Sequence, residues 1–567
     1  MSTAAPKNLV YKFTNDCSDP ELFAKWAPEI EKYRAALAAN TLDEYKSEVP
    51  EFADDAVFNA VAYLYDNKLL SEDEFKLTDT PATELVSLMG KGLLTAVEVL
   101  KAFAHRAVIC QQFTAFAMEF FIGEGLKRAA ELDAEFAKTG KLTGPLHGIP
   151  ISLKEQIGHA GKITNGGWVG WLTNIPKEDA VTVTVLRNLG AVFYVRTNQP
   201  QSLMHLDSNN NIVGRSRNPY NLKLTPGGSS GGEGACVSFG ASPLGVGTDI
   251  GGSIRAPAAF SGCWGLRPST RRISTLGGVS SGKGQESVPS VAGPLARDLD
   301  DVDLFMKAYI NDGKPWDYDP WCIPVPWRSL EKPDPKQITV AIMYDDGLVR
   351  PHAPIARGLK HVAEKLTSAG VKVVEFDPIR TKEAYETVNK MYSCDGNFFQ
   401  KDMVKPSGEP LLPLTEWALS FGDGDKSYSV VDNRFLNVTR DSLRKDYLDY
   451  FVQNKVDFII SPTYVGTAPV GAYDGVEGPY YWGYTSLWNI LDLPTLVFPT
   501  GLHQDPSIDV AEKIEPRSEL EKIEHDKYIP ANFRDAPINL QLTARRYFDE
   551  ETVAFGKVLR DILELKH

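Results

Sequence analysis

The sequence of 567 residues lacks paired cysteines and any cluster of metal-ligand type. Its six cysteines are spread singly along the chain, at Cys17, Cys110, Cys236, Cys263, Cys322 and Cys394. No Cys-x-x-Cys pair occurs, so a disulfide framework is not indicated, and His, Cys and Asp residues show no metal-ligand spacing. We therefore expect no metal and a reducing, cytoplasmic environment.

Long hydrophobic runs and an excess of positive charge are also missing. No run approaches the roughly 18–20 apolar residues that cross a bilayer, so no transmembrane segment is expected. Residues 1–8 contain no apolar signal-peptide core. The 60 Lys and Arg residues are outnumbered by 74 Asp and Glu residues, which gives a net charge of −14. Such a surface repels phosphate backbones, so we expect no nucleic-acid partner.

Glycine is the residue that the chain concentrates, in the stretch from Thr225 to Arg255. These 31 residues hold ten glycines and five serines, whereas glycine makes up about 7% of an average protein. Glycine lets the backbone adopt positive φ and approach other atoms closely. The stretch therefore predicts either a ligand held by main-chain N–H groups or a serine presented on a tight turn.

The remainder of the chain divides into two parts. Residues 1–75 are charged and helix-prone, and we interpret them as an N-terminal helical extension packed on the main body. Residues 76–567 are interpreted as one α/β domain, because strand and helix patterns alternate along them. Within this domain, the glycine-rich residues 207–297 are interpreted as loop-like.

The α/β pattern predicts individual elements of the main domain. Thr95 and Glu98 form a capping-box pattern before a helix, and an apolar strand ends at Lys154. Further strands are predicted at 191–196, 338–343, 371–376, 456–461, 494–499 and 538–543. Further helices are predicted at 123–138, 181–189, 354–369 and 550–565.

Four short patterns offer competing chemistry, and each departs from its motif. Residues 277–284 resemble a phosphate-binding P-loop, but Gly284 stands where Ser or Thr would hold Mg²⁺. Residues 245–251 have one residue too many for a dinucleotide fingerprint. Residues 280–283 fit a Ser-x-x-Lys pattern without its partner motifs. Residues 227–231 fit a nucleophile elbow without the buried strand that should precede it.

Lys154 offers a different chemistry because it ends an apolar strand. Burial disfavours the charged ammonium and can lower a lysine pKa by up to roughly 3–5 units. A neutral amine is a competent general base near pH 7 and can activate a serine hydroxyl. A single lysine at a strand end is more often a solvated surface charge, so its sequence context decides between the two interpretations.

Three blocks of sequence together resemble the amidase signature family. They are Gly148-Ile-Pro-Ile-Ser-Leu-Lys154, Pro226-Gly-Gly-Ser-Ser-Gly-Gly-Glu-Gly234 and Gly247-Thr-Asp-Ile-Gly-Gly-Ser-Ile-Arg255. The resemblance extends from about residue 77 to the C-terminus. It is strongest toward fungal acetamidase-type enzymes, with fatty acid amide hydrolases as near relatives. It implies an α/β fold with a large, twisted, mixed β-sheet covered by helices on both faces.

The resemblance implies a Ser-cisSer-Lys triad. Ser253 would be the nucleophile, Ser229 the bridging serine with a cis peptide bond in its backbone, and Lys154 the base. Ser253 would attack an amide carbonyl while the proton passes through Ser229 to Lys154. Water would then hydrolyse the acyl-enzyme, with no metal or cofactor needed.

The same resemblance implies an oxyanion hole. The backbone N–H groups of Ile250, Gly251, Gly252 and Ser253 would converge on the carbonyl oxygen of the substrate. One such donor is worth roughly 3–4 kcal/mol in the transition state. Supporting residues would hydrogen-bond behind the loop rather than take part in the chemistry, and these are Ser230, Thr248, Asp249 and Arg255.

Two segments are candidates for the substrate pocket. Leu203 and Met204 precede the second block, where relatives place acyl-pocket residues. Tyr481, Trp482 and Trp488 belong to an aromatic segment. Pockets are mostly apolar with a few polar groups, and ordinary core packing is equally compatible with these aromatic residues. We expect a small-molecule amide as the binding partner, and a homodimer stays open.

Other members of the family remain alternatives to a general amidase. A fatty acid amide or aryl acylamide hydrolase would share the signature, as would the glutaminase subunit of a tRNA-dependent amidotransferase. The glutaminase subunit would need a partner, and the long N-terminal extension argues against it. A family member that only binds a ligand is disfavoured by the intact Lys154, Ser229 and Ser253.

Overall fold

The computed structural model describes residues 13–53, 55–471 and 478–565. The helices are α1 (Pro20–Ala24), α2 (Ala27–Asn40), α3 (Ala60–Asp66), α4 (Glu72–Asp79), α5 (Ala82–Gly90), α6 (Ala96–Thr114), α7 (Ile122–Thr139), α8 (Val181–Asn188), α9 (Gly231–Ser238), α10 (Arg255–Ser261), α11 (Leu299–Lys307), α12 (Ala353–Ser368), α13 (Thr381–Tyr392), α14 (Phe398–Val404), α15 (Pro413–Leu419), α16 (Val430–Gln453), α17 (Gly483–Leu491), α18 (Glu519–Asp526) and α19 (Asp549–Ile562). The strands are β1 (Ala117–Phe120), β2 (Pro150–Lys154), β3 (Val192–Thr197), β4 (Asn209–Asn210), β5 (Gly214–Arg215), β6 (Leu244–Asp249), β7 (Trp264–Arg267), β8 (Val291–Ala296), β9 (Thr339–Ile342), β10 (Lys372–Glu375), β11 (Phe458–Pro462), β12 (Thr495–His503) and β13 (Pro537–Thr543).

Eleven of the described strands form one mixed sheet, in the order β1-β3-β2-β6-β8-β7-β12-β13-β11-β9-β10. Strand β2 pairs in parallel with both β3 and β6, and β9 pairs in parallel with β10 and β11. The strands between these two groups pair antiparallel. Every residue of β2, β3 and β6 is buried, as expected of strands covered on both faces. The predicted large mixed sheet is confirmed.

The strands and helices predicted outside the glycine-rich segment are confirmed, with ends that differ by up to four residues. The helix predicted at 123–138 is α7, and the strand predicted at 191–196 is β3. The capping box before α6 is also present. Thr95 Oγ1 accepts a hydrogen bond from the Glu98 amide at 3.2 Å, and the Glu98 carboxylate accepts one from the Thr95 amide at 2.9 Å.

The loop-like interpretation of residues 207–297 is wrong for much of that segment, which contains α9, α10 and strands β6, β7 and β8 in the middle of the sheet. Glycine is ordinarily rare in strands, but here it makes room for buried neighbours. A Cβ on Gly245 would lie 2.0 Å from Glu233 Oε2, and one on Gly247 would lie 2.9 Å from Ser230 Oγ. The glycines of β6 therefore reflect close packing, not a loop.

The described part of the N-terminal extension contacts the main body at several points. Ser18 Oγ donates to the Glu409 carbonyl at 3.0 Å, and the Arg34 guanidinium donates to the Ile212 carbonyl at 2.6 Å. The Ala60 amide donates to the Pro219 carbonyl at 2.9 Å. Helix α4 runs across residue 75, and the division into 1–75 and 76–567 stays a prediction.

No helix within the described ranges is long and apolar enough to cross a membrane. The same ranges contain no group of three or more His, Cys, Asp or Glu side chains arranged to hold a metal ion. All six cysteines lie in these ranges, and none of them forms a disulfide.

Candidate active site

Two neighbouring parallel strands end at the same edge of the sheet and place the candidate residues there. Lys154 is the last residue of β2, and Thr248 and Asp249 are the last two residues of β6. The strands pair in parallel, with Leu153 opposite Val246. The carboxyl ends of parallel strands are where α/β sheets ordinarily bind ligands. The first and third sequence blocks therefore meet at one site.

Lys154 is fully buried and is held by two hydroxyl groups. Its Nζ donates to Ser229 Oγ at 2.6 Å and to Thr248 Oγ1 at 2.8 Å. Burial lowers the pKa of Lys154 to about 7, although the nearby carboxylates of Asp249 and Glu233 oppose this shift. The side chain thus has the burial expected of a base and is not a solvated surface charge.

Ser229 lies on a turn, which we call the relay turn, formed by residues 227–230. The peptide bond between Gly228 and Ser229 is cis, as the family resemblance implied. A Cβ on Gly228 would lie 2.2 Å from the Asp207 carbonyl oxygen, so a residue with a side chain would not fit. Ser208 Oγ donates to the Gly227 carbonyl at 3.0 Å and accepts from the Gly231 amide at 3.1 Å. These bonds anchor both ends of the relay turn.

Ser253 lies on a second turn, which we call the oxyanion turn, formed by residues 250–253. The Ser230 amide donates to the Ser253 carbonyl at 3.2 Å, which places the two turns side by side. The Gly252 amide donates to Asp249 Oδ1 at 2.9 Å and is therefore already occupied. Within the described chain, the amides of the other three residues of the turn donate to no protein group.

A buried ion pair supports the oxyanion turn from behind. Asp249 and Arg255 are both fully buried, and Arg255 Nε lies 3.0 Å from Asp249 Oδ2. Asn489 donates to Asp249 Oδ1 at 2.8 Å and accepts from Arg255 at 2.6 Å. Burial on its own would raise the pKa of Asp249, but the Arg255 guanidinium holds it well below its ordinary value. The carboxylate therefore stays ionised and accepts the hydrogen bond from the Gly252 amide of the turn.

Two side-chain hydroxyl groups that donate hydrogen bonds to the oxyanion turn were not predicted from the sequence. Tyr392 on α13 donates its hydroxyl to the Ile250 carbonyl at 2.5 Å. Thr485 on α17 donates its hydroxyl to the Gly251 carbonyl at 2.6 Å. Neither residue lies in a recognisable motif, and their partners are 142 and 234 positions away in the chain. No local signal could have found them.

Two further buried residues were missed closer to the blocks. Gln156, two positions after Lys154, accepts from Thr248 Oγ1 at 2.9 Å. Glu233, inside the second block, accepts from Ser152 Oγ at 2.5 Å and from Thr197 Oγ1 at 2.8 Å. Burial raises the pKa of Glu233 to about 8. Their positions within or beside the blocks were a usable signal.

The predicted pocket residues fall into two groups. Trp482 lies beside the oxyanion turn, because a Cβ on Gly251 would be 3.9 Å from its ring. Met204 is partly exposed and packs against the same apolar cluster as Trp482. Tyr481 is buried and donates its hydroxyl to Asp346, and Trp488 is fully buried against Tyr447.

Leu203 is 7% exposed and has a positive φ of 60°. Of the predicted pocket residues, Trp482 therefore lies beside the oxyanion turn, whereas Tyr481 and Trp488 lie in the core.

Comparison with known proteins identifies the family of the chain. The family model described as Amidase matches residues 98–553. A candidate amidase of Schizosaccharomyces pombe is 40% identical over 532 residues, which cover 93% of this chain and 98% of that protein. An acetamidase of Emericella nidulans is 37% identical over 555 residues, which cover 95% of this chain and 99% of that protein.

Among solved structures, a fatty acid amide hydrolase is 55% identical and superposes with a TM-score of 0.95. The match covers 99% of this chain and 98% of that chain. The chain therefore belongs to the amidase signature family and is an enzyme that hydrolyses amides.

Proposed function

We propose that the protein hydrolyses carboxylic acid amides through an acyl-enzyme on Ser253, with Ser229 as proton relay and Lys154 as base. The observation that supports this most is the contact between the Lys154 amine and Ser229 Oγ, at 2.6 Å in a fully buried position. A buried amine with a pKa near 7 is suited to accept a proton at neutral pH.

The hydrogen bonds around Lys154 support a proton path toward it from Ser229. Gln156 Nε2 donates to the Val279 carbonyl, so its Oε1 faces Thr248 and accepts the Thr248 hydroxyl proton. Thr248 Oγ1 must then accept from Lys154. In the neutral amine, one N–H therefore points to Thr248, and the lone pair is free to accept the Ser229 proton.

The oxyanion turn supplies the donors for the carbonyl oxygen in this proposal. Three amides of the predicted four, those of Ile250, Gly251 and Ser253, have no other acceptor in the described chain. The fourth, that of Gly252, is engaged by Asp249, so we give it the role of holding the turn. Preorganised backbone donors of this kind stabilise the negative charge that develops in the transition state.

The reaction proceeds in two balanced halves. Ser253 Oγ forms a bond to the amide carbon as its proton moves to Ser229, and the Ser229 proton moves to Lys154. The C–N bond then breaks, the proton returns along the same path to the leaving nitrogen, and ammonia or an amine departs. Water attacks the acyl-enzyme by the same route and frees the carboxylic acid and Ser253.

We place an apolar acyl group, larger than acetyl, beside the oxyanion turn. Ile250, Met204 and Tyr392 are partly exposed and pack against the apolar cluster that contains Trp482. Walls of this type suit apolar groups. The 55% identical relative is named fatty acid amide hydrolase, which supports the same substrate class.

A labelling experiment tests the assignment of the nucleophile. A fluorophosphonate should modify Ser253, as identified by peptide mass spectrometry, and the Ser253→Ala variant should be unlabelled and inactive. Ser229→Ala should be labelled much more slowly. Labelling at Ser229, or amide hydrolysis by Ser253→Ala at the wild-type rate, would refute the assignment.

A substrate panel tests the acyl preference. Acetamide, an aryl amide, a long-chain fatty acid amide and glutamine are compared by kcat/KM. We expect the long-chain amide to exceed acetamide by at least about tenfold, since each added buried methylene contributes about 0.8 kcal/mol. A preference for acetamide would contradict the proposed pocket, and a preference for glutamine would favour the glutaminase alternative.

A cytoplasmic location and a homodimer stay predictions from the sequence.

A further inference from the structure

The oxyanion turn depends on flexible residues, and this raises the question of what fixes its orientation. Gly251 and Gly252 are adjacent, and Gly252 has φ +132°, a conformation that favours glycine. A peptide plane flanked by glycine rotates more easily than one flanked by residues with side chains. Donor geometry therefore requires contacts from outside the turn.

A trans peptide group is planar, so its C=O and the following N–H point in opposite directions. Fixing the Ile250 carbonyl thus fixes the direction of the Gly251 N–H. Fixing the Gly251 carbonyl likewise fixes the Gly252 N–H. The orientation of each amide in the turn can be read from the partner of the carbonyl before it.

The peptide group that joins Gly251 to Gly252 is held at both ends. Its carbonyl accepts from Thr485 Oγ1 at 2.6 Å, and its N–H donates to Asp249 Oδ1 at 2.9 Å. The Thr485 hydroxyl also lies 3.0 Å from the Trp482 carbonyl. A Cβ on Gly252 would lie 2.4 Å from Thr485 Oγ1, which shows how closely α17 approaches the turn.

The preceding peptide group, from Ile250 to Gly251, is held at its carbonyl end by Tyr392, at 2.5 Å. Its N–H end has no acceptor in the described chain. The Tyr392 ring is itself fixed edge-on against Trp482, with ring centroids 5.5 Å apart. The hydroxyl is therefore well placed to aim the Gly251 N–H, which is a donor in the proposed oxyanion hole.

We propose that Tyr392 and Thr485 are positioning residues. Tyr392 aims the Gly251 N–H into the oxyanion hole by holding the Ile250 carbonyl, and Thr485 fixes the adjoining Gly251–Gly252 peptide group, together with Asp249, by holding the Gly251 carbonyl. This inference rests on the proposed function, since it assumes that the Gly251 amide binds the oxyanion. Neither hydroxyl exchanges a proton with the substrate. Their effect is confined to the transition state, where the carbonyl oxygen becomes negative.

The test is Tyr392→Phe, which removes only the hydroxyl. We expect kcat to fall about tenfold with KM changed less than about twofold, because the interaction is realised in the transition state. The inhibition constant of a trifluoromethyl ketone, which forms a tetrahedral oxyanion, should rise by a similar factor. The matched control is Tyr447→Phe, whose hydroxyl donates to the Ile379 carbonyl at 3.1 Å and not to the turn.

Thr485 supplies an independent pair of variants. Thr485→Val should behave like Tyr392→Phe, whereas Thr485→Ser keeps the hydroxyl and should retain most of the wild-type kcat. Rescue by serine separates a positioning role of the hydroxyl from a packing role of the side chain. If circular dichroism shows that Tyr392→Phe does not fold, the two Thr485 variants still test the proposal.

Two outcomes are distinguished. If Ser253→Ala is inactive but Tyr392→Phe matches Tyr447→Phe in kcat and in ketone binding, the positioning role is overturned and the proposed mechanism stands. If Ser253→Ala hydrolyses amides at the wild-type rate, the mechanism itself is overturned.

Discussion

The relay turn and the oxyanion turn lie side by side, but their contacts with distant segments come from different halves of the chain. The relay turn contacts Lys154 on β2 and Ser208, both before it in sequence. The carbonyl groups of the oxyanion turn accept hydrogen bonds from Tyr392 on α13 and Thr485 on α17. Asp249, which holds the turn, accepts a hydrogen bond from Asn489, also on α17. In the proposed mechanism, contacts from the first half of the chain thus support proton transfer, and contacts from the second half support stabilisation of the oxyanion.

This division means that variants on the two sides should fail in different ways. Loss of a contact at the relay turn should alter the dependence of activity on pH. Loss of a contact at the oxyanion turn should alter the affinity for analogues of the tetrahedral intermediate and leave the pH dependence in place. The predictions below test this separation.

The largest effect is expected for Lys154→Met, which replaces the base with an apolar side chain of similar length. General base catalysis contributes about 10²–10⁴-fold, so kcat/KM for an amide should fall by about 10³-fold. The loss should be smaller for a p-nitrophenyl ester, whose leaving group needs no proton. Steady-state kinetics on both substrates measures the difference.

Lys162→Met is the matched control for this variant. Lys162 is also largely buried, and it pairs with Glu119 and Glu124 away from both turns. It should leave both activities near the wild-type level. Amide hydrolysis by Lys154→Met within tenfold of wild type would show that the lysine is not the base.

The second prediction concerns pH. Burial lowers the pKa of Lys154 to about 7, and protonation below that pKa occupies the lone pair that accepts the Ser229 proton. Activity should therefore be lost as the pH falls, with kcat/KM decreasing about tenfold per pH unit and reaching about 1% of its plateau at pH 5. A pH–rate profile of wild type between pH 5 and 9 tests this. The remaining activity of Lys154→Met should lack the acid limb, and a flat wild-type profile would contradict the assignment.

The parts of the site that could be predicted from the sequence are those within one block. Lys154, Ser229 and Ser253 could be proposed because each lies within a block of several consecutive residues that carries the family resemblance. Tyr392 and Thr485 could not be found, because each contacts the oxyanion turn through a single hydroxyl that donates to a carbonyl distant in sequence. Such a contact leaves no pattern in its neighbourhood.

The fold shows the same limit. Strand β3 was predictable because a short apolar run indicates a buried strand, and β13 was predictable because apolar and polar residues alternate along it. Strand β6 was taken for a loop because its pattern, Leu-Gly-Val-Gly-Thr-Asp, has glycine at alternate positions. Those glycines are required by Glu233 and Ser230 on the helix side, and that requirement exists only in the folded chain.

The third prediction removes the charge that holds the oxyanion turn. Asp249→Asn leaves Arg255 buried without its counter-charge, which should destabilise the protein by about 3–5 kcal/mol. The amide also replaces one acceptor of the backbone N–H groups, so kcat should fall by at least about tenfold in the folded protein. Urea unfolding and kcat, measured well below the unfolding transition, give the two quantities.

Glu550→Gln is the control for the loss of a buried charge. Glu550 pairs with the buried Arg272 at 2.9 Å, and neither residue hydrogen-bonds to the oxyanion turn or to Asp249 in the described chain. We expect a comparable loss of stability with kcat nearly unchanged. If both variants lose stability and kcat alike, the effect of Asp249 on activity is a general consequence of destabilisation.

The smallest effect is expected for Thr248→Val, which removes the hydroxyl that accepts from Lys154. An acceptor stabilises the ammonium more than the neutral amine, so its loss should lower the pKa of Lys154 further and move the acid limb to lower pH, by about half a unit. Thr485→Val, on the oxyanion side, should reduce kcat and leave the limb in place. The pH profiles of the two variants thus compare the two turns directly. An equal shift of the acid limb in both variants would mean that proton transfer and oxyanion stabilisation are not supported by different halves of the chain.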